Sequence, residues 1–205
     1  MSEMQNNPVK AGEDERSPLA YMSIPMDPAS IHSIESRFPV KITSGRTGKV
    51  VEIIIRRLTN HEKEIIAKDC VRIEEKLKGT EYERGIRAAM RVTTFCATSS
   101  WHVGGYTVLV EEMPVVIFNS KVITGPDDKF ELTLLHELMH TVTEFGDKDP
   151  NSLDEAKHNI LCYALLGIPI PGDHWMWAKY PDLKDKLLSL SADDETDKDT
   201  GTVEK

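Results

Sequence analysis

The sequence is poor in cysteine and in long apolar runs. Its 205 residues include only three cysteines, which are far apart and form no CxxC pair, so neither a disulfide framework nor a thiolate zinc ribbon is expected. No uncharged apolar run approaches the roughly 18 residues of a membrane span, and the first residues lack the apolar core of a secretory signal. We therefore expect a cytoplasmic protein with no membrane partner.

Basic residues are fewer than acidic ones: the sequence has 25 Lys and Arg and 34 Asp and Glu, which gives a formal charge of −9. Such a balance gives no electrostatic footprint for a phosphate backbone, and nucleic-acid binding is not expected. Much of the excess lies in residues 191–205, with six acids and two bases, and in residues 1–30, with five acids, two bases and four prolines. Both segments are predicted to be disordered tails, and residues 31–190 are predicted to form a single domain.

The first half of that domain is predicted to contain both strands and helices. Thr59 and Glu62 have the spacing of a capping box and precede apolar residues that recur at helical spacing. The predicted elements are a strand at 50–58, a helix from Thr59 to Gly79, a helix from Glu81 to about Cys96, and a hairpin with strands at 106–110 and 115–118.

The second half is predicted to contain a pair of helices. Thr124-Gly-Pro-Asp127 combines a cap residue, an early proline and acids near the positive end of the helix dipole, which predicts a helix over 125–146. A polar turn then leads to a second helix over 151–167. The fold class expected is α+β: a mainly helical single domain with a small β-sheet or hairpin packed on the 125–146 helix.

One motif in the 125–146 helix carries chemistry: His136-Glu137-Leu138-Met139-His140, an HExxH sequence. Residues four apart share a helix face, so both histidines can reach one Zn²⁺ ion, and Glu137 is placed to take a proton from a water molecule at the metal. The other interpretation is that hydrogen bonds alone satisfy the histidines. The broad apolar face of this helix predicts burial, and buried histidines and a carboxylate need a partner such as a metal.

A catalytic zinc requires a third protein ligand, and four residues are candidates: Glu155, His158, Asp154 and Cys96. If the second helix starts near Pro150, Glu155 is level with His140; if it starts at Ser152, His158 is level instead. Glu155 also has a purely structural interpretation, because Ser152-x-x-Glu155 has the spacing of a capping box. The residues alone leave the third ligand open.

The order of these features resembles the ImmA/IrrE family of zinc metallopeptidases. The matching stretches are Gly105-Tyr106, Val116-Ile117-Phe118-Asn119, the run from Phe130 to His140, Asp154-Glu155-Ala156, and the run from Leu165 to Pro169. The resemblance implies Zn²⁺ as cofactor, Glu155 as third ligand and Asn159 as a polar group behind it. Counting back from Pro169 without a gap would instead place His158 in the ligand position.

The resemblance also implies a protein or peptide substrate, commonly a transcriptional repressor in that family. Zinc peptidases often align an extended substrate along an edge strand, so Gly104, Gly105 and Tyr106 are candidate substrate-binding residues. The other interpretation is an ordinary glycine-rich entry to a strand.

Three functions are carried forward. The first is a zinc-dependent metalloendopeptidase that cleaves a specific, regulatory protein substrate, with Glu137 as general base and then general acid. The second is a catalytically weak or inactive protein of the same fold that acts as a regulatory binding partner, suggested by Met139 at a position usually small and by the short 150–155 connection. The third is a deformylase-like site that uses Cys96, His136 and His140.

Overall fold

The chain folds into helices packed against one face of a sheet. The structure, a computed structural model, describes residues 27–43, 50–99, 104–110, 113–143 and 151–184. After a short 3-10 helix at Pro28–Ser30, the elements in chain order are β1 (Phe38–Thr43), β2 (Val50–Arg56), α1 (Asn60–Leu77), α2 (Glu83–Val92), β3 (Thr94–Thr98), β4 (Gly105–Val110), β5 (Met113–Asn119), α3 (Ser120–Ile123), α4 (Asp127–Met139), α5 (Leu153–Leu166) and α6 (Trp175–Lys179).

The described strands form one sheet in the order β1-β2-β3-β5-β4. All neighbouring pairs are antiparallel except β3 and β5, which run parallel. Strand β4 closes the sheet on one side, so within the described residues it has a strand neighbour only at β5. This edge lies beside α4, the helix that carries the HExxH motif.

Alternation along the strands divides the core into two clusters. Phe95 and Phe118 point to the face covered by the helices, whereas Cys96 and Ile117 belong to a smaller cluster on the opposite face. The Phe118 ring contacts Phe130 of α4 edge-to-face, with ring centroids 5.1 Å apart. This buried aromatic contact holds the first half of α4 against β5, the strand next to the β4 edge.

Several sequence predictions agree with the structure. The fold mixes helices and strands, the 50–58 strand and the 106–118 hairpin form, and Thr59 and Glu62 make a full capping box at the start of α1. The α5 helix ends where predicted, with Gly167 in the left-handed region at φ +66°. None of the described helices combines the length and apolar character that crossing a bilayer demands.

Other predictions were wrong in detail. The second helix does not reach Cys96: it ends at Val92, and Thr94–Thr98 forms β3, because strand partners on both sides override a helical assignment. Strand β1 was not predicted.

Helix α4 is also shorter than the predicted 125–146 helix. It begins at Asp127 after Pro126, while Thr124 ends α3 and bonds back to the carbonyl of Ser120. It ends at Met139.

The predicted end of that helix at Gly146 lies outside the described residues. The predicted tail at 191–205 also lies outside the described residues. Of the predicted tail at 1–30, only residues 27–30 are described, and they include the short 3-10 helix.

Candidate metal centre

Two imidazoles and a carboxylate converge where the end of α4 meets the first turn of α5. The Nε2 atoms of His136 and His140 lie 3.1 Å apart, and Oε1 of Glu155 lies 3.3 Å from His136 Nε2. One ligand atom from each of the three residues lies within 4.8 Å of the others. The residues are part-buried, so the group is sheltered but not sealed.

The chemistry of these donors suits Zn²⁺. Burial, aided by the neighbouring His158 and His140, lowers the pKa of His136 well below its usual value, so its imidazole is neutral, the form that binds metals. The contact between His136 and Glu155 is therefore not an ion pair. Tetrahedral ligands about 2.1 Å from zinc lie about 3.4 Å from one another, close to the 3.1 and 3.3 Å that separate His136 Nε2 from His140 Nε2 and Glu155 Oε1.

Glu155 is held in place by its own helix. Its backbone N–H donates to the Ser152 hydroxyl at 3.0 Å, which caps α5, while its carboxylate is turned towards His136. Asn159, one turn later, donates from Nδ2 to Glu155 Oε1 at 3.0 Å and to the Glu155 carbonyl at 2.8 Å. Asn159 therefore contacts Glu155, as the resemblance implied, and its hydrogen bond orients the Glu155 carboxylate.

The side chain of Glu137 lies beside this group and is almost fully buried. The Thr107 hydroxyl of β4 donates to Glu137 Oε2 at 2.6 Å and lies 3.0 Å from the backbone carbonyl oxygen of the same residue. Burial, with a further contribution from Glu155, raises the pKa of Glu137 to about 8 against the opposing effect of the Thr107 hydrogen bond.

Gly105 allows this close approach of strand and helix. A Cβ atom at position 105 would lie 2.7 Å from both Cγ and Oε1 of Glu137, which is closer than side-chain carbons come to other atoms. The absence of a side chain at Gly105 therefore leaves the volume that the Glu137 carboxyl group fills. Gly104 faces Thr133 instead, where an added Cβ atom would lie 3.3 Å from the Thr133 Cγ2.

The side chain of His158 also lies at this centre, where it contacts the backbone of His136. Its side chain is fully buried, and Nε2 lies 3.1 Å from the carbonyl oxygen of His136. His158 is also part of a second group of potential metal donors with His136 and Cys162. Helix α5 starts after Ser152, as the His158 alternative assumed, yet it is Glu155 whose side chain points to His136 Nε2.

The remaining candidates lie elsewhere. Asp154 is 67% exposed and faces Lys157 at 3.7 Å. Cys96 is buried in the cluster on the opposite face of the sheet, and the potential metal-binding groups found among the described residues do not include it. Tyr106 packs against that same cluster. The structure therefore does not bring the Cys96 thiol to the two motif histidines.

Thr107 is the residue at this centre that the sequence analysis missed. Side chains two apart on a strand share a face, so Gly105 and Thr107 had to point the same way once β4 was assigned. That alternation could have identified Thr107, but nothing in the sequence indicates that this face of β4 lies against Glu137.

The comparisons with known proteins add no relative. No family model, curated protein or solved structure matches this chain.

Proposed function

We propose that this protein is a zinc-dependent metalloendopeptidase similar to the ImmA/IrrE family, with His136, His140 and Glu155 as metal ligands and Glu137 as the catalytic residue. The observation that carries the proposal is the convergence of three donor atoms beside a buried, hydrogen-bonded carboxyl group. A zinc ion held by these residues would supply a Lewis acid that polarises the scissile carbonyl and the attacking water.

Glu137 moves the proton in this mechanism. Its carboxyl group accepts hydrogen bonds from Thr107, and it would accept a proton from the attacking water and deliver that proton to the leaving amine. Burial raises the pKa of Glu137, which makes its carboxylate a stronger proton acceptor than an exposed glutamate. The short hydrogen bond from Thr107 fixes the carboxyl group and limits the number of positions it can occupy.

The edge of the sheet offers a place for an extended substrate. The carbonyl of Gly104 accepts from the Asn119 N–H at 3.0 Å, so alternation turns the N–H and C=O groups of Gly105, Thr107 and Leu109 away from β5. The Thr107 backbone bonds to the Glu137 carboxyl group, and the backbone groups of Gly105 and Leu109 lie on either side of it along the strand. A peptide added there as a further strand would present its backbone to that carboxyl group. This arrangement favours Gly105 over Tyr106 as a substrate-binding position.

The substrate class follows from the same proposal. A peptide added along β4 implies a protein segment in extended form, and the resemblance to the family suggests a regulatory protein such as a transcriptional repressor. All three cysteines are described and all are free thiols in the interior, which supports a reducing, cytoplasmic setting.

The metal part of the proposal is tested by elemental analysis of the purified protein. We expect about one Zn²⁺ per chain in the wild type and loss of the metal in Glu155→Ala, because a carboxylate ligand is removed. Asp154→Ala is the matched control: its exposed carboxylate is adjacent in sequence, and the variant should keep its zinc. Zinc retained by Glu155→Ala would contradict the ligand assignment.

The catalytic part is tested by mass-spectrometric detection of cleavage in a mixed peptide library. Glu137→Gln should bind zinc normally and cleave at least about 1000-fold more slowly, since the proton acceptor is lost. Glu131→Gln is the matched control, because Glu131 is a buried glutamate of the same helix that pairs with Lys76 at 2.8 Å. Equal turnover by wild type and Glu137→Gln would overturn the proposal.

The regulatory-binding alternative has less support in the structure. Met139, which suggested a distorted motif, is fully buried in the larger core cluster and packs with the apolar residues of α4. A partner that is captured and left uncut equally by wild type and Glu137→Gln would favour that alternative.

A further inference from the structure

His158 occupies a central position that the proposed ligand set does not use. Its side chain has no exposed surface, although a histidine is costly to bury without hydrogen bonds. Its ring lies against both motif histidines, with centroids 4.4 Å from His136 and 4.2 Å from His140.

The hydrogen bond of His158 is made to the helix that carries the motif. A carbonyl oxygen only accepts, so the 3.1 Å contact with the His136 carbonyl means that His158 Nε2 carries the hydrogen and donates it. The same carbonyl accepts the backbone N–H of His140 at 3.3 Å, a long bond in the last turn of α4. The carbonyl of one motif histidine thus links the backbone of the other to the side chain of His158.

His140 needs such support because it lies at the boundary of the helix. Helix α4 ends at Met139, and His140 is its C-cap residue. The following carbonyls are held by the turn that comes next, since Leu138 accepts the Thr141 N–H at 3.0 Å, whereas the His136 carbonyl holds the His140 N–H only at 3.3 Å. The hydrogen bond from His158 of α5 to the His136 carbonyl therefore stabilises the turn from His136 to His140. The geometry of this turn sets the distance between the two motif imidazoles.

We infer that His158 is a positioning residue: it fastens the last turn of α4 to α5 and so holds His136, His140 and Glu155 at the spacing of one metal ion. This inference rests on the proposed metal site. The role differs from that of a ligand through Nε2, because an Nε2 that donates its hydrogen to a backbone oxygen has no lone pair for a metal. Groups behind metal ligands that fix their orientation typically change metal affinity by about 10- to 100-fold when removed.

The test compares two substitutions of similar size. His158→Met fills the buried volume but has no donor, whereas His158→Gln has an amide N–H at a comparable distance from the backbone. Zn²⁺ affinity is measured by competition with a chromophoric chelator. His158→Met should bind about 10- to 100-fold more weakly than wild type, and His158→Gln should remain within about threefold of it.

A matched control and a spectrum separate positioning from general damage. His174→Met replaces a histidine that is part-buried elsewhere and packs on Tyr163, and this variant should bind zinc as the wild type does. The Co²⁺-loaded His158→Gln protein should show the same visible absorption bands as Co²⁺-loaded wild type, because its ligands are unchanged. Wild-type affinity in His158→Met, or equal loss in His158→Met and His158→Gln, would overturn the inference.

Two further outcomes are decided by the wild type itself. If it binds no Zn²⁺, the proposed function and this inference fail together, whereas equal binding by the wild type and both His158 variants overturns the inference alone. If His158→Met does not fold, ¹H–¹⁵N correlation spectra of the imidazole nitrogens decide. They should show His158 with its hydrogen on Nε2 and no metal on Nδ1 in the metal-loaded wild type, and metal bound to either ring nitrogen of His158 would contradict the inference.

Discussion

For the proposed peptidase, Gly105→Ala is predicted to slow cleavage without loss of zinc. The new Cβ would lie 2.7 Å from Cγ and Oε1 of Glu137, whereas ordinary contacts begin at 3.4 Å, so the carboxyl group must move by at least about 0.7 Å. A misplacement of about 1 Å at a reacting group can cost about 100-fold in rate. We therefore expect kcat/KM to fall by about 100-fold and the overpacking to cost about 1–3 kcal/mol of unfolding free energy.

The assay is steady-state cleavage of a peptide identified from the library, with zinc content measured on the same samples. Gly172→Ala is the control, because a Cβ there would meet no atom within 4 Å. It should match the wild type in rate and stability. Wild-type turnover by Gly105→Ala, or a loss of zinc equal to its loss of rate, would refute the reasoning that the glycine makes room for Glu137.

Three further predictions follow from individual contacts. Thr107→Val removes the hydroxyl that donates to Glu137 and should lower kcat by about 10- to 100-fold with zinc retained. Thr107→Ser keeps a hydroxyl and should keep most of the rate. Single-turnover kinetics would measure both rates. Burial opposes ionisation of Glu62, but hydrogen bonds from Arg56 and Thr59, with the charge of Arg56, outweigh it and lower the pKa of Glu62. This group therefore stabilises the fold above its unfolded pKa of about 4.3 and loses that effect as pH falls through its lower folded pKa. Arg56→Met should accordingly cost about 3 kcal/mol at pH 7, a difference that shrinks on acidification in urea titrations, and a constant difference from pH 7 to pH 3 would contradict it. Gly167→Ala should cost about 1 kcal/mol in the same titrations because Gly167 has φ +66°, while Gly167→Asn should cost less.

The elements that could be predicted from the sequence are those with local signals. The capping box of Thr59 and Glu62 and the helical spacing behind it determine α1 without reference to the rest of the chain. The hairpin and the end of α5 at Gly167 are local in the same sense. By contrast, Thr94–Thr98 is a strand because β2 and β5 flank it, and such non-local pairing leaves no mark on a five-residue segment.

The candidate site divides in the same way. The spacing of His136 and His140 on one helix predicts that they meet, and the structure places their Nε2 atoms 3.1 Å apart. The proximity of Thr107 to Glu137 spans 30 residues and depends on how β4 lies against α4, which the sequence does not indicate. The spacing of Ser152 and Glu155 fits a capping box, so the sequence left open whether Glu155 caps the helix or binds a metal. In the structure the Glu155 backbone N–H bonds to the Ser152 hydroxyl, and the Glu155 carboxylate lies beside His136 Nε2.

The point at which α4 ends has an electrostatic consequence. Aligned peptide dipoles give a helix a partial negative charge at its C-terminus and a partial positive charge at its N-terminus. His136 and His140 lie at the C-terminal end of α4, and Glu155 lies in the first turn of α5. The field of one helix therefore favours a cation between the imidazoles, and the field of the other favours the ionised carboxylate that would face it. Each contribution is worth about 0.3–1 kcal/mol. The first would act on a bound cation directly, whereas the second would act only through the negative charge that it favours on Glu155.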